Sequence, residues 1–246
     1  MAHVAQRSNK RSASIPSRER LIVALDVPSS DAAKALVTRL GDLVVFYKIG
    51  LELALSRDYF ALMDWLVARG KRVFADLKLY DIPATVAAAV RNLSSSGASF
   101  LTVHGERSVV EAAAANKGAD LRILAVTVLT SMSDEDLRHS GITYSISELT
   151  ALRARAALAA GCDGVVASGL EAAALRAQLG PKPLIVTPGI RPADGSSRDD
   201  QKRVVTARTA LEAGADYIVV GRPIRAASDP VAAASAFQAE IATVLE

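Results

Sequence analysis

A chain of 246 residues, half of them hydrophobic and 22% charged, has enough apolar material for one large core and too little charge for global disorder. Aromatic residues make up only 4%, which argues against an all-β sandwich with Tyr and Trp layers, and abundant alanine favours close-packed helices. The net charge of +3 arises in residues 1–20, where five Lys or Arg stand against Glu19 and leave the rest of the chain at −1, so no nucleic-acid-binding body is indicated.

That Ser-rich tail lacks interleaved aromatics and reads as a flexible, solvated extension, residues 1–20, before a single domain over 21–246. It has the Arg/Ser-rich look of a transit peptide but no apolar secretory core, and no run of about 18 apolar residues occurs anywhere, so a cytoplasmic protein without a membrane partner is expected. From residue 21 short β-branched runs alternate with stretches of helical spacing. In chain order the predicted strands are "LIVALDV" (21–27), "VVFYKIG" (44–50), "RVFADLK" (72–78), "FLTVHG" (100–105), "RILAVTVL" (122–129), "GVVAS" (164–168), "PLIVTPG" (183–189) and "YIVVGRP" (217–223). Eight near-continuous apolar strands, each followed by a helix, predict an α/β fold of the closed (β/α)8 (TIM) barrel type rather than an open sheet.

The segments "GASFLTVHG", "GCDGVVASG" and "GADYIVVGR" form a weak repeat whose leading glycine suits a helix C′ position with positive φ. Two long polar breaks, 131–145 and 191–203, follow the fifth and seventh strands, where such barrels keep their site loops, and a helix start is expected near Ser147 and Glu148. Cys162 has no partner for an intrachain disulfide and reads as a small buried residue without redox chemistry.

Polar residues gather at strand ends: Asp26, Lys48, Asp76 with Lys78, His104, Thr130 with Ser131, Arg191 and Arg222. Strand periodicity of two sends Asp76 and Lys78 to one side and Leu77 and Leu79 to the other. Asp81 lies in the turn beyond, where Pro83 can start the next helix. With Lys48 these residues form an alternating Lys-Asp-Lys-Asp set in which each carboxylate keeps a lysine protonated. Glycines and forked guanidinium donors in "TPGIRP" (187–192) and "GRPI" (221–224) point to a phosphate site, within reach of Gln201. His3, His104 and His139 are far apart, no zinc, P-loop or dinucleotide motif is present, and the site reads as free of cofactor and metal.

The strings "ALDV", "YKIG", "DLKLYDIP", "VTVLTSM", "VTPGIRP" and "IVVGRP", in this order, resemble the orotidine 5′-phosphate decarboxylase family from about Leu21 onward. The resemblance implies a (β/α)8 homodimer acting on a small nucleotide without metal or cofactor. It implies Lys48, Asp76, Lys78 and Asp81 as the charged catalytic tetrad, with Lys78 as proton donor and Asp81 and Thr85 reaching into the partner subunit's site. It further implies Asp26 on the ribose hydroxyls, Thr130 and Ser131 on the pyrimidine, and Gln201, Gly221 and Arg222 on the phosphate with Arg191 nearby. Ile82 and Pro188 complete the implied substrate contacts. Tyr80 departs from the His of many bacterial relatives. A Mg2+-dependent sugar-phosphate barrel with the same DxKxxD string would carry an acid at the end of the second strand, where Lys48 stands. A non-catalytic, nucleic-acid-binding barrel would depend on the basic tail.

Overall fold

The computed structural model describes residues 15–192 and 203–245, so most of the basic tail and Gln201 lie outside it. Strands β1 (Leu21–Ala24), β2 (Phe46–Gly50), β3 (Arg72–Leu79), β4 (Phe100–His104), β5 (Arg122–Val126), β6 (Gly164–Val166), β7 (Leu184–Thr187) and β8 (Tyr217–Val220) form a closed parallel barrel in sequence order. β8 pairs back onto β1, with Ile22 opposite Val219. Outside it run the helices Ser30–Leu40, Tyr59–Val67, Pro83–Ser94, Arg107–Asn116, Ile146–Ala159, Gly169–Leu179, Ala207–Glu212 and Pro230–Leu245, one after each strand. The (β/α)8 expectation holds. No helix among the described residues is long and apolar enough to cross a membrane.

Alternation along the strands divides the core in two. Inward-facing Ile22, Phe46, Phe74, Phe100, Leu124 and Tyr217 fill the barrel, and outward-facing residues such as Val23, Tyr47, Ile49 and Ala75 pack beneath the helices. The Phe100 ring stands 5.0 Å from Phe46, 5.8 Å from Phe74 and 5.2 Å from Tyr217, in tilted or edge-on pairs that each add about 0.5–1.5 kcal/mol beyond burial. This aromatic layer sits below the positions where the strands turn polar: Lys48 follows Phe46 by two residues, Asp76 follows Phe74, and Thr102 follows Phe100. The inner face is therefore apolar at mid-barrel and charged at its C-terminal mouth.

At the opposite mouth the observed boundary differs from the expected one. Ile15 packs against the inner cluster, Glu19 pairs with Arg72 at 2.6 Å, and Arg20, fully buried, donates to the Asp216 carbonyl at 3.2 Å. Residues 15–20 thus pack at the base of the barrel, where Glu19 meets the Arg72 guanidinium that stands 4.3 Å above the Phe46 ring.

The repeat has a structural purpose. Gly97, Gly161 and Gly214 take φ of 78°, 97° and 97°, ending one helix before the next strand. In two copies the polar residue ties neighbouring strands together. Asp163 accepts from the Ile123 amide at 2.8 Å and from Lys117 at 2.6 Å, and Asp216 accepts from the Ile185 amide at 2.9 Å and from Arg176 at 2.7 Å. Several strands stop short of their apolar runs: Val27, Val128 and Leu129 are apolar but lie in loops, where Val128 caps a small cluster with Leu137 and Ile146. The break at 131–145 contains a short helix, Asp134–His139, begun by a reciprocal Ser133–Asp136 cap, and the next helix starts under a Ser145–Glu148 cap. Cys162 is buried as expected, and burial pushes its thiol up to about 11.

Asp216→Ala is expected to cost about 3–5 kcal/mol, because it leaves the nearly buried Arg176 charge with carbonyl partners only and the Ile185 amide without its acceptor. Urea unfolding followed by circular dichroism measures this, and a loss below about 1 kcal/mol would contradict the role given to the repeat.

Candidate active site

The C-terminal mouth holds a cavity of about 310 Å³, lined among others by Asp26, Lys48, Asp76, Lys78, Thr130, Ser131, Pro188, Arg191, Gly221 and Arg222. Ten of the residues expected from the sequence meet there. They arrive from six of the eight strands: Asp26 two residues past β1, Lys48 within β2, Asp76 and Lys78 within β3, and the others in the loops after β5, β7 and β8.

Lys48 Nζ lies 2.9 Å from Asp26 Oδ1 and 3.3 Å from Asp76 Oδ2, and Lys78 Nζ lies 2.8 Å from Asp76 Oδ1. Side-chain exposure is only 11% for Lys48 and 13% for Asp76. Burial works against the charged form of both. For Lys48 the carboxylates of Asp76 and Asp26 outweigh it and raise the pKa above the usual lysine value. For Asp76 the ammonium groups of Lys48 and Lys78, with the hydroxyl of Thr102, outweigh it and hold the carboxyl below its ordinary 3.8. Lys48 and Asp76 are thus held in their charged forms, and Gly50 leaves them room, since a Cβ there would stand 3.1 Å from Lys48 Nζ.

The backbone at Lys78 is unusual. Alternation correctly assigns Asp76 and Lys78 to the cavity and Leu77 and Leu79 to the outer core. It does not describe the path, because Lys78 has φ 49° and the β3–β4 register shifts between Ala75 and Leu79. A non-glycine residue in that region costs about 1–3 kcal/mol and persists where its surroundings hold it. Here Thr102 holds it: its Oγ1 accepts from the Lys78 amide at 3.0 Å and donates to Asp76 Oδ1 at 2.8 Å. Thr102 escapes a reading by charge, although its place two residues past an inward-facing Phe100 is a signal for it.

Some expected residues are elsewhere. Asp81, Ile82 and Thr85 are exposed and do not line the cavity of their own chain, and Asp81 Oδ1 accepts from the Ile82 amide at 2.7 Å. Pro83 does begin the following helix. His104 is absent from the cavity wall and lies against Tyr80, ring centres 4.9 Å apart. Gln201 lies outside the described residues. The stem of that loop is anchored on its far side by Arg203, which donates to Glu171 at 2.6 Å and to the carbonyls of Val128 and Leu129 at 3.4 Å. Burial raises the Glu171 carboxyl, and Arg203 opposes that shift. Among the described residues, no three His, Cys, Asp or Glu side chains gather where they could hold a metal ion.

Barrel and site together define a (β/α)8 enzyme with its reacting groups on the C-terminal mouth. The chain matches the Orotidine 5'-phosphate decarboxylase / HUMPS family over residues 19–237 and belongs to that family. Among its relatives, orotidine 5'-phosphate decarboxylase of Methylococcus capsulatus is 57% identical over 230 residues, 94% of this chain and 95% of the relative. The namesake from Xanthomonas campestris pv. campestris is 56% identical over 228 residues, covering 92% and 93%. Among solved structures, the orotidine 5'-phosphate decarboxylase of Lactobacillus acidophilus superposes with a TM-score of 0.79 at 36% identity, over 91% of this chain and 99% of that one. The structure from Pyrococcus horikoshii OT3 gives 0.73 at 29% identity, over 90% and 99%.

Asp76 generates a pH prediction. A carboxyl with a lowered folded pKa contributes stability above its unfolded value of 3.8, and that contribution is lost as pH falls through the folded value. Asp76→Asn is therefore expected to be less stable than the unsubstituted protein by about 3 kcal/mol at pH 7, with the gap narrowing below pH 3.8. Urea midpoints at pH 7 and pH 3 measure it, and a gap that stays constant would contradict the assigned charge state.

Proposed function

We propose that this enzyme removes CO2 from orotidine 5′-phosphate to give uridine 5′-phosphate in pyrimidine nucleotide synthesis, with neither metal nor cofactor, in the cytoplasm. The observation that carries the reading is the Lys78 ammonium held 2.8 Å from a nearly buried Asp76, which Lys48 also contacts. Family membership and the names of close relatives support the same substrate. In support of a metal-independent reaction, the carboxylates of Asp26 and Asp76 already face ammonium groups.

In this reading the pyrimidine C6 carboxylate enters beside Asp76 and Lys78. The C6–carboxylate bond breaks, CO2 leaves, and the bonding electron pair stays on C6. The ammonium of Lys78 stabilises that developing charge without reorganising, and then gives a proton to C6. Lys78 afterwards recovers a proton from solvent. Asp26 bonds the ribose hydroxyls, Thr130, Ser131 and Pro188 bound the pyrimidine, and Gln201, Gly221, Arg222 and Arg191 hold the phosphate.

The reading includes a homodimer. Leu51, Leu55 and Phe60 after β2, and Tyr80 and Ile82 after β3, are 55–90% exposed, an apolar face on two neighbouring strands beside Asp81 and Thr85. A second copy covering that face would carry Asp81 and Thr85 to its partner's cavity and complete the tetrad.

Purified protein in EDTA should bleach the absorbance of orotidine 5′-phosphate, and Lys78→Ala should lower kcat by at least about 10³. No turnover in EDTA would overturn the metal-free assignment, and near-normal turnover by Lys78→Ala would overturn the proton donor. Mixing Lys78→Ala subunits with Asp81→Ala subunits should restore activity through one hybrid site that is intact. No recovery despite demonstrated subunit exchange would contradict the shared site.

A further inference from the structure

Arginines at the cavity's phosphate end differ in how their side chains are engaged. Arg222 and Arg225 belong to the one-turn helix Arg222–Arg225 after β8, three residues apart and hence on one face, and both line the cavity together with Arg191. Arg191 donates to the Ile190 carbonyl at 2.7 Å. Elsewhere in the molecule Arg20, Arg176 and Arg203 each meet a carbonyl or a carboxylate. The half-buried Arg225 is the exception: its Nε is inaccessible to solvent, as are those of Arg20, Arg191 and Arg203, but unlike theirs its side chain makes no hydrogen bond or ion pair with any described residue. A guanidinium donor removed from water without an acceptor is costly, and such a group facing a cavity fits an anion that arrives with the ligand.

The charge of the cavity points the same way. Its described lining carries five cations, Lys48, Lys78, Arg191, Arg222 and Arg225, against the two carboxylates Asp26 and Asp76, a formal +3. A phosphate monoester that also bears a carboxylate has a charge of about −3 at neutral pH, and after loss of CO2 about −2. The two lysines face the two carboxylates, so the excess lies at the arginine end.

We propose that Arg225 is a further phosphate ligand, a third guanidinium that binds the phosphate of substrate and product alike. This rests on the phosphate reading of the cavity given above. An interaction made equally with the ground state and the transition state appears in KM rather than kcat.

Arg225→Gln is expected to raise KM for orotidine 5′-phosphate about tenfold and to weaken inhibition by uridine 5′-phosphate by a similar factor, with the change falling on KM rather than kcat. Arg225→Lys, which loses the fork but keeps a point charge for the phosphate, should fall between Arg225→Gln and the unsubstituted enzyme, within about threefold of the latter. Calorimetry with inorganic phosphate provides a readout independent of turnover: binding by the unsubstituted protein should weaken about tenfold in Arg225→Gln and largely return in Arg225→Lys. Unchanged phosphate affinity and KM in Arg225→Gln would overturn the proposal, as would equal damage in both variants, which marks a packing role. If the unsubstituted protein binds phosphate but does not turn over orotidine 5′-phosphate, the decarboxylase reading fails and the Arg225 assignment stands on its binding data.

Discussion

The structure depends on one carboxylate shared between two ammonium groups. Asp76 sits between Lys48 and Lys78 in a nearly buried layer, where each charge alone would be expelled or neutralised. Their mutual attraction outweighs burial and keeps Lys48 and Asp76 ionised, raising the lysine and lowering the carboxyl relative to ordinary values. A cluster of this kind is a weak stabiliser compared with apolar packing of the same volume. Its place at the cavity-bearing mouth of the barrel is a reason to read it as chemistry.

The fold places this cluster through the period of its strands. Phe46, Phe74 and Phe100 fill the barrel, and the residues two further along their strands are Lys48, Asp76 and Thr102. The apolar floor lowers the local dielectric under the charges, so electrostatic interactions with a bound anion are stronger there than in water. Thr102 joins the two demands: one hydroxyl accepts from the strained backbone of Lys78 and donates to Asp76. The strain at Lys78 and the ionisation of Asp76 thus share a support on the neighbouring strand.

Much of this was legible in the sequence for physical reasons. Eight apolar runs separated by helical spacing announce a parallel barrel, and the charges at their ends mark the mouth. Strand lengths were overestimated where Val27, Val128 and Leu129 carry apolar character into loops, and the helix Asp134–His139 was hidden in a polar stretch. The bulge at Lys78 could not be read, because alternation predicts the face of a residue and not its φ. Thr102 and Arg225 carry little pattern of their own: one is a hydroxyl in an apolar strand, the other an arginine beyond a motif. Asp81 and Thr85 are exposed and do not line the cavity of their own chain, a placement that periodicity does not give because both lie beyond the strand.

The central claim is that Lys78 exchanges a proton with C6 of the pyrimidine. The most direct measurement is by proton magnetic resonance: exchange of the C6 hydrogen of uridine 5′-phosphate with deuterated solvent on the enzyme, because proton delivery must run backwards through the same group. The account predicts exchange well above the uncatalysed rate with the unsubstituted protein and its loss in Lys78→Ala. Equal exchange in both proteins would contradict it.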